Sequence, residues 1–78
     1  MTELYTKPNC GQCLATHTML ERKGIEHRTI DITQDPEALE RFKSLGFMSA
    51  PVVVTDGDMW AGFRPDRIDA LAQKLASV

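Results

Sequence analysis

The residues with most chemistry in them are two cysteines three positions apart, in Cys10-Gly11-Gln12-Cys13; the 78-residue chain has no others. A disulfide closing so short a loop removes little entropy from the unfolded chain, so a structural staple is a poor use of this pair. In a reducing compartment, C-x-x-C points instead to thiol–disulfide exchange or to half of a metal site. Exchange needs a thiolate. The strand-to-helix junction expected here supplies free N–H groups and the positive end of a helix dipole, both favouring negative charge on the first sulfur. Lys7, three residues upstream, adds to this if its ammonium folds back. On this reading Cys10 attacks a substrate disulfide and Cys13, one helical turn further on, resolves the mixed disulfide. Gly11 and Gln12 carry no acid or base and serve to shape the loop. The rival reading is a non-catalytic metal module in which His17 and His27 join Cys10 and Cys13. Those histidines lack the short paired spacing of zinc modules, and a helix and a strand separate them. Taken singly, His17 reads as a solvated helix residue, with a proton shuttle as the alternative, and His27 as a strand-edge surface residue.

The surrounding pattern says which elements must hold the pair. Thr2–Thr6 reads as a first strand broken by Pro8-Asn9, and a helix from around Cys10–Cys13 to Lys23 follows, with Gly24 as its left-handed cap. The β-branched run over 27–32 suits a second strand. Asp35 and Pro36 open a second helix, as N-cap and first helical residue, and Ala38, Leu39, Phe42 and Leu45 recur at helical spacing before Gly46 ends it. Val52-Val53-Val54-Thr55, Asp56-Gly57 and Asp58-Met59-Trp60-Ala61 spell strand, turn, strand, with Asp-Gly supplying the positive φ angles of a tight hairpin turn. Pro65-Asp66 opens a last helix whose Ile68, Leu71, Ala72 and Leu75 share a face. The predicted order is β-α-β-α-β-β-α, an α/β chain whose mixed four-stranded sheet carries helices on both faces.

Size and charge narrow the function. Seventy-eight residues make one small domain, 1–78. Nine Lys and Arg against eleven Asp and Glu give a net charge of −2, which argues against nucleic acid as the main partner. No apolar run approaches the roughly 20 residues of a membrane span, and Met1-Thr2-Glu3-Leu4 has no signal-peptide character, so a cytoplasmic protein is expected. Two further clusters stand out. Pro51 begins the third strand, where a missing N–H is tolerable, and from the residues alone its peptide bond is expected to be trans. Trp60, Phe63 and Arg64 flank a bend at Ala61-Gly62. They read either as a core aromatic with neighbours closing the last helix, or as anchors for a docking partner.

Cys10-Gly11-Gln12-Cys13, Ser49-Ala50-Pro51-Val52-Val53 and Trp60-Ala61-Gly62-Phe63-Arg64-Pro65-Asp66 together resemble the NrdH-redoxins over essentially the whole chain. These are small glutaredoxin-like proteins that reduce class Ib ribonucleotide reductase and are reduced by thioredoxin reductase. The resemblance implies a thioredoxin-like fold, Cys10 as nucleophile, Cys13 as resolving thiol, and a cis Ala50–Pro51 bond beside the disulfide. It implies partner docking through Trp60, Gly62, Phe63 and Arg64, and active-site support from Lys7, Gly11, Gln12, Ala50 and Pro51. It also implies a monomer with no bound cofactor or metal, since NADPH and flavin belong to the reductase. Two positions depart from pattern. The family usually carries a larger residue where Gly11 stands. Ala61-Gly62 fills the place where glutathione-binding glutaredoxins show Gly-Gly, and the added Cβ hinders close approach of a peptide. Lys7 matches a glutaredoxin-like lysine, so a glutathione-fed glutaredoxin is the nearer alternative.

Overall fold

The computed structural model describes residues 1–76. Its elements follow the expected order: β1 (Thr2–Thr6), α1 (Gly11–Arg22), β2 (His27–Asp31), α2 (Pro36–Ser44), β3 (Val52–Thr55), β4 (Asp58–Ala61) and α3 (Pro65–Ala76). The four strands form one sheet in the order β2-β1-β3-β4. β1 runs parallel to β2 and antiparallel to β3, and β3 runs antiparallel to β4. The C-terminal ends of β1 and β4 and the N-terminal end of β3 therefore meet at one edge.

Side-chain alternation along β1 and β3 divides the core in two. Leu4, Val53 and Trp60 face Leu20 of α1 and Ile68 and Leu71 of α3, while Tyr5, Val52 and Ile30 face Ala38 and Phe42 of α2. The helices thus cover both faces, as the pattern required. Asp35 caps α2 through its side chain, accepting from the N–H groups of Glu37 and Ala38, with Pro36 at the first position. Gly24 and Gly46, with φ of 70° and 88°, provide the left-handed residues after α1 and α2.

Three local expectations are corrected. In the Asp56-Gly57 turn only Gly57 has a positive φ, at 85°. The hairpin therefore needs one left-handed residue rather than two. Leu75 shares the helical spacing of Ile68 and Leu71 but is 51% exposed. β2 ends at Asp31, one residue short of the expected 27–32; it is an edge strand, paired on one side alone, with Ile30 its one buried residue.

Leu20 is fully buried between α1 and the sheet, so Leu20→Ala should cost about 2–5 kcal/mol in urea unfolding. Leu75→Ala, at an exposed position, should stay within about 0.5 kcal/mol of the parent.

Candidate active site

Cys10 is the N-cap of α1, in an extended conformation (φ −118°, ψ 104°), and Asn9 before it takes a left-handed φ of 57°. This conformation, tolerated by Asn more readily than by most residues, turns the chain from the end of β1 into the helix. Cys10 and Cys13 are joined as a disulfide, their Cα atoms 5.2 Å apart. Cys13 N–H, one of the donors left free at a helix start, points at Cys10 Sγ at 3.1 Å. The two sulfurs differ in access: Cys13 is 4% exposed, whereas Cys10 is half-buried beside an open groove. That groove is lined by Thr6, Lys7, Asn9, Gly11, Leu14 and His17 around the cysteines. An incoming sulfur meets Cys10 there, and the helix start stabilises negative charge on Cys10 once the disulfide opens.

The pieces from the other strands converge on the same edge. The Ala50–Pro51 peptide is cis, as the resemblance implies, and Pro51 is fully buried. Gly62 N–H donates to the Pro51 carbonyl at 2.8 Å, continuing the β3–β4 ladder beyond its paired residues, with Gly62 at a φ of 86°. Phe63 N–H donates to Gln12 Oε1 at 3.4 Å, which ties the segment after β4 to the loop between the cysteines. Around Gly11 the space is open: among the described residues nothing lies within 4 Å of where a Cβ would stand.

Residues 2–60 match the glutaredoxin family. The chain is 40% identical over 68 residues to the glutaredoxin-like protein NrdH of Escherichia coli K12, covering 87% of this chain and 84% of that one. It is 36% identical over 72 residues to NrdH of Lactococcus lactis subsp. cremoris, covering 92% and 100%. The chain belongs to the NrdH glutaredoxin-like family. A solved structure of NrdH-redoxin from Escherichia coli, a glutaredoxin-like protein with a thioredoxin-like activity profile, superposes with a TM-score of 0.85 at 38% identity, covering 90% and 92%. The fold is accordingly thioredoxin-like, and the chain is a glutaredoxin-like thiol–disulfide oxidoreductase.

Within this NrdH-like frame, some expected roles move. Trp60 is 5% exposed and packs among Leu4, Val53, Ile68 and Leu71; a partner cannot reach it, so the docking role expected for it is corrected to a core role. Among the described residues its indole N–H finds no acceptor, and the Arg67 guanidinium lies 6.0 Å from its ring centroid. Phe63 is exposed at the rim. Arg64 is exposed too but is held by Asp66, donating to both carboxylate oxygens at 3.4 and 3.3 Å. That hydrogen bond holds the Asp66 carboxyl below its usual range. The associated stabilisation is present at neutral pH and fades as pH falls through the lowered range, and solvent screens it because both side chains are exposed.

The histidines are corrected as well. His17 Nδ1 and His27 Nε2 are 2.9 Å apart; His27 Nδ1 donates to the Ile25 carbonyl at 2.9 Å, and His17 Nε2 pairs with Glu21 at 3.1 Å. The helix and strand that separate them in sequence pack so as to join them. Among the described residues no group of three or more His, Cys, Asp or Glu side chains is arranged to hold a metal ion. Sequence reasoning also passed over Leu14, which is 66% exposed and lines the groove beside Cys10 as well as one running towards Phe63. Its signal was there: it falls off the face that Cys13, Thr16 and Leu20 turn to the core.

Removing Arg64 should release Asp66: in Arg64→Ala the Asp66 carboxyl should titrate at higher pH than in the parent, read by carboxyl carbon NMR. An unchanged midpoint would remove the Arg64 contact as the cause.

Proposed function

We propose that this chain is the electron donor of a class Ib ribonucleotide reductase and is itself reduced by thioredoxin reductase. The observation that carries the chemistry is the unequal pair: a half-buried Cys10 at a helix N-terminus and a buried Cys13 bonded to it. The reduced Cys10 thiolate attacks the partner's disulfide, giving a mixed disulfide and a partner thiolate that takes up a proton. Cys13, deprotonated, then attacks Cys10 Sγ, releasing the partner's second sulfur as a thiolate and restoring the Cys10–Cys13 disulfide. Two electrons pass to the partner, and no cofactor on this chain takes part; NADPH and flavin act in the reductase.

The named partners are supported by kinship with NrdH proteins and, for the reductase, by the thioredoxin-like activity profile of the Escherichia coli relative. The exposed Leu14 and Phe63 offer apolar contact beside the disulfide for a protein partner, with Lys7, Gly62 and Arg64 around them. We assign the protein to the cytoplasm, where thiols are kept reduced, and to a monomeric state. Among the described residues no helix is long and apolar enough to cross a membrane.

Cys13→Ser should accumulate a covalent complex with the large subunit of ribonucleotide reductase on non-reducing gels, and Cys10→Ser should form none. NADPH consumption should be sustained by thioredoxin reductase and should be slow with glutathione and glutathione reductase. Full turnover by both cysteine variants would overturn the exchange mechanism, and turnover with glutathione alone would move the chain to the glutathione-fed glutaredoxins.

A further inference from the structure

His17 on α1 and His27 on β2 are both half-buried, and the hydrogen bonds they make fix where their protons sit. Two of the four ring nitrogens face acceptors that hold no proton. Glu21 Oε1 lies 3.1 Å from His17 Nε2, and the Ile25 carbonyl lies 2.9 Å from His27 Nδ1. Each of these nitrogens is therefore an N–H donor. The other two, His17 Nδ1 and His27 Nε2, meet at 2.9 Å with the ring centroids 5.0 Å apart, so they point at each other. One proton lies between them. Three protons on four nitrogens leave one positive charge on the pair, since a neutral imidazole carries only one.

This charge has a direction. Along α1, Cys13, His17 and Glu21 follow at four-residue intervals, and side chains so spaced are neighbours on one face, with Cβ atoms about 6 Å apart. Cys13 and His17 line the same groove, together with Cys10 and, from the loop before α1, Lys7. Glu21 stands one turn beyond His17, away from the cysteines. From β2 it is His27 that closes the cluster, whereas α3 meets α1 further on, where Asp69 pairs with Lys23 at 2.8 Å. Along the helix Cys13 thus has a cation as its first charged neighbour, and the counter-charge lies a turn farther off.

The Cys13 sulfur has to carry a negative charge in both directions of exchange, as the leaving group when the disulfide opens and as the resolving nucleophile when it closes. At 4% exposure it receives little help from water. A positive charge nearby favours the thiolate, and a more acidic thiol leaves faster. We propose that His17 is a positioning residue for the exchange: kept cationic between Glu21 and His27, it stabilises the thiolate of Cys13. The inference rests on the disulfide-exchange reading above. In reduction, a donor thiolate attacks Cys10 Sγ, the Cys10–Cys13 bond breaks, and its electron pair goes to Cys13 Sγ, which later takes up a proton. A second donor thiolate attacks the donor sulfur bonded to Cys10 and releases the Cys10 thiolate. Two donor thiols are oxidised to one disulfide, and one disulfide is reduced.

The test follows thiolate absorbance against pH in reduced Cys10→Ser, where Cys13 is the one remaining thiol. Adding His17→Gln should raise the Cys13 midpoint by about one pH unit, the low end of what an opposite charge within a few ångströms gives. His17→Lys returns a positive charge to the same helix position and should bring the midpoint back close to that of Cys10→Ser alone. An unmoved midpoint in His17→Gln, or an equal rise in His17→Lys, would overturn the proposal. With both cysteines present, dithiothreitol should reduce the disulfide. If it failed to do so in the parent, the exchange reading itself would fall, whereas reduction with an unmoved midpoint would remove the role of His17 alone.

Discussion

The antiparallel pairing of β1 with β3 is the constraint on which the rest of this small structure depends. Leu4 lies opposite Val53 and Tyr5 opposite Val52, and all four side chains are buried. One pair serves the core under α1 and α3, the other the core under α2. A one-residue slip would exchange the two sets and fill neither core correctly. The same pairing fixes where β1 ends relative to the start of β3, and so sets Cys10 and Pro51 at the same edge. The position of the disulfide is thus a consequence of sheet register more than of any contact the cysteines make for themselves.

From that edge the site is assembled by main-chain geometry. Asn9 turns the chain, Cys10 caps α1, and the Gly62 N–H grips the Pro51 carbonyl. Few charged groups are involved. The free N–H groups at the start of α1 belong to the fold itself, so the environment that favours a thiolate on Cys10 does not hang on one removable side chain. Side chains refine this arrangement: Gln12 joins the two sides of the rim, and Leu14 and Phe63 give it an apolar margin.

The fold was legible in the sequence because its local signals agree with one another. Asp35-Pro36 and Gly46 bracket α2, Asp56-Gly57 marks the hairpin, and the strand bounds of β1, β3 and β4 match the pattern. The cysteine pair and its place at a strand-to-helix junction were equally plain. What sequence could not show was contact across elements. His17 and His27 meet because α1 packs beside the start of β2, and a spacing of ten residues on two kinds of element carries no trace of that. Trp60 was balanced between core and surface because its neighbours on β4 alternate without a clear apolar face; only the sheet order shows that Val53 and Ile68 enclose it. The cis bond before Pro51 was implied by resemblance, whereas its residues alone favoured trans.

The unequal burial of the two sulfurs also sets how traffic passes through the molecule. With Cys13 turned inward from the first turn of α1 and only 4% exposed, an exchanging partner meets the disulfide from the Cys10 side, whether it brings electrons or takes them. Donor and acceptor must therefore visit the same doorway in turn. The chain works as a shuttle with a single berth, in which each partner competes with the other for occupancy and every delivery has to be cleared before the next loading.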